Sequence, residues 1–155
     1  MLNHIGILVE NLEEGIARYS DILGVRFRPP FHGKFAGFEQ NGVLAPAELM
    51  LTYSMEGPVH VELMQATGDG VWSAKHGFGL HHVGGFASDI PAEMRRLIQA
   101  GLAPEATAYT PGGELLLSYF RPGDLMGTRY ELLSEKLRPG WERWVAGGPP
   151  PGHGD

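Results

Sequence analysis

The chain of 155 residues holds 23 glycines and 12 prolines, roughly twice the usual share, alongside 43% hydrophobic and 10% aromatic residues. Featureless coil is therefore excluded, and the length suits one domain or two small modules with a shared core. A formal charge of −6 without a Lys/Arg cluster leaves no footprint for nucleic acid or an anionic membrane, no apolar run is long enough to span a bilayer, and the absence of cysteine removes disulfides, thiolate metal sites and a cysteine nucleophile. Met1-Leu2-Asn3-His4-Ile5-Gly6 carries neither the basic nor the apolar segment of a secretory signal, so a cytoplasmic protein acting on a small molecule is expected.

Residues 2–9 are apolar and β-branched and predict a strand. Asn11 stands at an N-cap position, and Leu12, Ile16, Tyr19, Ile22 and Leu23 recur at helical spacing up to Gly24. Strand-like runs follow at 25–31, 48–54 and 59–65, separated by turn-rich pieces such as Pro29-Pro30 and Asn41-Gly42. The second half repeats the order: a run over 80–88, Asp89 as a cap, the stripe Ile90, Met94, Leu97 and Ile98 before Gly101, then runs over 105–109, 114–120 and 128–134. Asn3-His4-Ile5-Gly6 is echoed by His81-His82-Val83-Gly84, and Val61-Glu62-Leu63-Met64 by Tyr130-Glu131-Leu132-Leu133. Recurrence in the same order predicts an α+β protein built from a duplicated βαβββ module of roughly 70 to 75 residues. The modules occupy 1–66 and 80–136, with a linker over 67–79 and a C-terminal segment over 137–155. The Gly- and Pro-rich stretch 147–155, with His153, is expected to be a disordered tail. Neither module can bury a core alone, so the two pair within one chain or exchange between chains of a homodimer.

Each module places a histidine early on its first strand and a glutamate on its last: His4 and Glu62, then His82 and Glu131. Two imidazoles and two carboxylates suit a divalent transition metal (Mn, Fe, Co, Ni or Zn) with one or two positions left for water or substrate. Strand alternation puts His82 on one face with Gly84 and Phe86 and turns His81 to the other, and puts His4 with Gly6 and Leu8, so that the glycines leave room for a metal and its substrate. His60 shares a face with Glu62 and either lines the pocket or packs. His32 and His76 fall in loop-like segments, Trp72 is expected to pack a short helix, and Trp141 with Trp144 to anchor the C-terminal segment. No phosphate-binding loop and no Gly-x-Ser-x-Gly elbow is present.

On these residues, across positions 2 to 135, the chain resembles the vicinal oxygen chelate superfamily, which comprises the glyoxalases, bleomycin-resistance proteins and extradiol dioxygenases. Asn3-His4-Ile5-Gly6 with Asn11-Leu12-Glu13, Gly79-Leu80-His81-His82-Val83 with Ser88-Asp89-Ile90, and Phe120-Arg121-Pro122-Gly123-Asp124 through Gly127 to Glu131-Leu132 are similar to methylmalonyl-CoA epimerases. The resemblance implies paired βαβββ modules forming a cupped, partly open barrel-like sheet with helices outside, and metal ligands at His4, Glu62, His82 and Glu131. Glu62 stands where epimerases often carry Gln and is similar to the glyoxalase I pattern. Glu39-Gln40-Asn41-Gly42-Val43 resembles the run that precedes a second acid/base in epimerases, which makes Glu48 the matching carboxylate. Phe-Arg-Pro-Gly-Asp departs from the Phe-x-His-Pro-Lys of epimerases, at positions that bear on acyl-CoA specificity. The implied activity is a metal-dependent isomerase or lyase that moves a proton α to the carbonyl of an acyl-CoA or other carbonyl compound, with Glu131 and Glu48 as acid/base, in a homodimer. The alternatives are an Fe(II) dioxygenase and a non-catalytic binding protein.

Overall fold

The computed structural model describes residues 1–152. In chain order these form β1 (Leu2–Val9), α1 (Leu12–Leu23), β2 (Phe31–Gln40), β3 (Val43–Tyr53), β4 (His60–Gln65), β5 (Gly79–Ala87), α2 (Ile90–Gln99), β6 (Pro104–Tyr109), β7 (Leu115–Phe120), β8 (Arg129–Ser134) and α3 (Arg138–Val145). Both long helices start where the capping residues place them: the Asn11 side chain accepts from the Glu14 amide and that of Asp89 from the Ala92 amide. Gly24 ends α1 at φ 68, a left-handed position that favours glycine.

The eight strands close into a barrel in the order β1-β4-β3-β2-β6-β7-β8-β5. Each module carries one parallel pair, β1 with β4 and β5 with β8, because the helix and hairpin between them return the chain in the same direction. The modules meet at two antiparallel seams, β1 with β5 and β2 with β6, so one chain completes the sheet by itself. Among the described residues no helix is long and apolar enough to cross a membrane.

Two segments depart from the sequence-based expectation. The run over 25–31 forms only a single bridge, Phe27 to Ser54, since Pro29 and Pro30 have no N–H to give a ladder. The strand begins instead at Phe31 and continues to a tight turn at Asn41 (φ 54) and Gly42 (φ 74), which makes β2 and β3 one long hairpin. The stretch from 147 to 152, expected to be disordered, is tied down: Arg28 Nη2 donates to the Gly147 and Gly148 carbonyls at 3.1 and 2.8 Å. His153 lies outside the described residues.

The main core fills the barrel and reaches α3, where Trp144 sits edge-on to Phe31 at 5.3 Å and to Tyr53 at 5.7 Å. Because Trp144 is only 2% exposed, Trp144→Ala is expected to destabilise the protein by about 3 to 5 kcal/mol, read from the denaturant midpoint at constant m-value.

Candidate metal centre

Inside the barrel, His4, Glu62, His82 and Glu131 converge at exposures of 0, 4, 0 and 3%. One ligand atom from each lies within 4.8 Å of the others. His4 and His82 approach Nε2 to Nε2 at 2.9 Å, and Glu62 Oε2 and Glu131 Oε2 stand 2.9 to 3.6 Å from these nitrogens. Neither Oε2 meets a donor in hydrogen-bonding geometry. Ligands about 2.1 Å from one divalent ion stand roughly 3.0 to 3.5 Å apart, so both the spacing and the unsatisfied oxygens fit a cation. The mixed nitrogen and oxygen set suits a first-row transition metal.

The cross-strand register explains how two histidines fit here. His4 is paired with Gly84 and Gly6 with His82, and a Cβ on either glycine would fall within the facing imidazole ring. The glycines thus make room for the ligand rings themselves, where alternation had assigned that room to metal and substrate.

Two β-bulges correct a second expectation. Along the β1–β5 seam Asn3 and His81 are each the extra residue on their strand, which turns them toward the histidine that follows. Asn3 Oδ1 lies 3.1 Å from His4 Nδ1, and His81 Nδ1 lies 2.9 Å from His82 Nδ1. His81 Nε2 donates to the Val71 carbonyl at 2.8 Å, which leaves its Nδ1 to accept from His82. Burial, then His82 and Arg129, hold the His81 ring down to about 3, so it stays neutral. Each of the two imidazoles therefore carries a proton on Nδ1, which leaves Nε2 as the inward nitrogen and the one that would offer its lone pair to a bound metal. His81, which strict alternation sent to the opposite face, positions His82; the repeat, aligning it with Asn3, was the one signal for this role.

Tyrosines complete the symmetry, Tyr53 directly across from Glu62 and Tyr119 across from Glu131. Burial and then the nearby carboxylates push both phenols well above their ordinary range, so they remain neutral donors. Tyr119 also accepts from Trp72 Nε1 at 3.3 Å, which ties the linker to the site.

The other candidates lie elsewhere. Glu48 is 59% exposed and pairs with His32 at 2.8 Å. On β3 it is Leu49, Leu51 and Tyr53 that face the cavity, and Glu48 falls on the other side of the strand. His60 Nδ1 donates to the Ser54 carbonyl and packs its ring on Trp141, while His76 Nε2 donates to the Gly70 carbonyl. Glu62 and Glu131 open into a cavity of about 540 Å³ whose lining includes residues of β2, β3, β5, β7 and α3. A larger recess of about 730 Å³ on the outer surface is lined by none of the four cluster residues.

A family model for the glyoxalase/bleomycin resistance protein/dioxygenase superfamily matches residues 3–120. The chain belongs to this superfamily. Curated proteins include no significant sequence match. Solved structures share the fold at low identity. A hypothetical protein from Bacillus halodurans C-125 is 18% identical (TM-score 0.60, covering 87% of this chain and 94% of that one). A Streptomyces coelicolor methylmalonyl-CoA epimerase variant in complex with 2-nitronate-propionyl-CoA is 20% identical (0.59, 86% and 92%), and the Mycobacterium tuberculosis methylmalonyl-CoA epimerase 21% (0.59, 89% and 91%).

Two predictions follow from the cluster. His81→Leu is expected to weaken divalent-metal affinity about 10- to 100-fold without unfolding the barrel, measured by isothermal titration calorimetry. In metal-free protein, burial would lower the His82 imidazole, but Glu131 and then Glu62 outweigh it and push it up to about 9 from 6.5. The raised value adds stability that is complete below pH 6.5 and is lost as the pH climbs through about 9. Urea midpoints of metal-free protein should fall across that window, and metal uptake within it should release a proton, read from calorimetry in buffers of different ionisation enthalpy.

Proposed function

We propose that this protein is a divalent-metal-dependent isomerase or lyase of the glyoxalase type, moving a proton α to a carbonyl through an enolate, with His4, Glu62, His82 and Glu131 as metal ligands. The observation that carries this reading is the convergence of two carboxylates and two imidazoles at one buried point, where the two carboxylates open into a cavity large enough for a small substrate. A divalent cation held there supplies Lewis acidity toward the enolate oxygen. An iron oxygenase site of the two-histidine, one-carboxylate kind would leave one of these carboxylates without a role.

The chain's own residues account for the proton. Apart from Glu62 and Glu131, Glu114 is the one carboxylate lining the cavity among the described residues, and it is held by Lys136 at 2.9 Å. Removal and return of the proton therefore both fall to the Glu62–Glu131 pair, with Glu131 as the base. The electron pair of the broken C–H bond passes into the new C=C bond and the carbonyl π pair onto oxygen. Glu131 then gives the proton back, to the adjacent carbon in an isomerisation, while the hydroxyl proton passes to the former carbonyl oxygen and the electron pair left on the hydroxyl oxygen forms the new C=O bond. Tyr119 faces Glu131 and Tyr53 faces Glu62 across neighbouring strands, each a neutral phenol beside its carboxylate. The epimerase structures, one of them in complex with 2-nitronate-propionyl-CoA, support carbonyl chemistry on this fold; acyl-CoA is the substrate of those proteins.

Metal-loaded protein incubated in deuterium oxide should exchange the α-proton of an α-hydroxycarbonyl compound, followed by NMR. Glu131→Gln should lower the rate at least about 10²-fold with reduced metal content, and Glu48→Gln should keep it within about twofold. Full exchange by Glu131→Gln at unchanged metal content would sink the assignment.

A further inference from the structure

The walls of the cavity differ in character from its floor. Phe31, Phe35, Phe86, Leu116, Leu137 and Trp141 pack against the core yet remain only partly buried, and all six line the space of about 540 Å³ above Glu62 and Glu131. An apolar, mostly aromatic enclosure over a polar floor is the form of a small-molecule site. Charge is confined to its ends. On the floor stand Glu62 and Glu131, and elsewhere on the lining Lys136 is tied to Glu114 at 2.9 Å. Lys34 also borders the cavity, but in the β2–β3 register it stands across from Glu48, on the strand face opposite Phe31, Gly33 and Phe35.

The enclosure has a fixed limit on one side. Trp141, Trp144 and Pro151 form part of its wall, and the segment that carries them is anchored by Arg28 on the Gly147 and Gly148 carbonyls and by Arg138, whose guanidinium lies 4.6 Å over the Phe86 ring. An occupant must therefore place its oxygens on the floor and fill the rest with uncharged, preferably flat, apolar surface.

We infer that the substrate, on the proton-transfer reading above, is a compact, uncharged aryl carbonyl compound with a hydroxyl on the adjacent carbon. Its two oxygens lie at the floor of Glu62 and Glu131 and its ring lies against the wall of Phe35, Phe86 and Trp141. A coenzyme A thioester fits this lining less well, because among the described residues the cations bordering it are Lys136, held by Glu114, and Lys34, on the opposite strand face from Phe31 and Phe35.

The test uses the full chain loaded with Co(II) and three probes: 2-hydroxyacetophenone, hydroxyacetone, which keeps the oxygens and lacks the ring, and methylmalonyl-CoA. Calorimetry reads binding and NMR in deuterium oxide reads α-proton exchange. We expect 2-hydroxyacetophenone to bind at least about tenfold more tightly than hydroxyacetone and more tightly than methylmalonyl-CoA. Trp141→Leu, at unchanged metal content, should shrink the preference over hydroxyacetone. Equal or tighter binding of hydroxyacetone or of the thioester, or no binding of the aryl ketone, overturns the substrate class. Binding of the aryl ketone without exchange leaves the class standing and overturns the proton-transfer reading, so the two fail separately.

Discussion

Two carboxylates taken out of water side by side are among the costliest features a small barrel can contain, and in this protein they sit within reach of two imidazoles and face two neutral tyrosines. Like charges so placed hold together only if something positive lies between them. In the metal-free geometry that role falls to the proton on His82, and burial, then His82 and His4, set the acidity of Glu131, the two histidines outweighing burial and keeping its carboxyl far below the ordinary range. A divalent cation is the stronger solution, since it satisfies both oxygens and both nitrogens at once.

Much of the molecule answers to that constraint. The β1–β5 seam interlocks a glycine of each module with a histidine of the other, so neither ligand ring has space until the two halves meet. On the same seam, the bulged residues Asn3 and His81 hold the outer nitrogens of the rings, and Tyr53 and Tyr119 face the carboxylates from the neighbouring strands. The cluster is thus pseudo-twofold in its ligands and in the groups around them. The symmetry breaks at His81, which is itself braced by the linker carbonyl of Val71 and has Arg129 on its own carbonyl.

Segments outside the repeated modules give the site its individual character. The linker supplies Val71 and Trp72, which fix His81 and Tyr119, and α3 with residues 146–152 supplies the tryptophan wall of the cavity. A shared fold can take different ligands through such additions while the barrel stays as it is.

The four residues of the buried cluster, the duplicated βαβββ order and the helix caps were legible in the amino-acid sequence, because each rests on local periodicity or on an internal echo such as His4-Ile5-Gly6 against His82-Val83-Gly84. Residues whose roles depend on distant backbone were not. Glu48 read as a partner carboxylate until the β2–β3 register turned it outward to His32, and the stretch after Phe31, with His32 read as loop-like, hides a strand that exists by pairing on both sides. His81 read as facing away because alternation holds only in a regular strand, and a bulge is visible only once two strands are in register. The sequence by itself determined which chemistry is present and in what order. Tertiary structure alone decided which nitrogen faces inward, which carboxylates share a floor and what closes over them, since those follow from contacts between residues that the chain brings together only on folding.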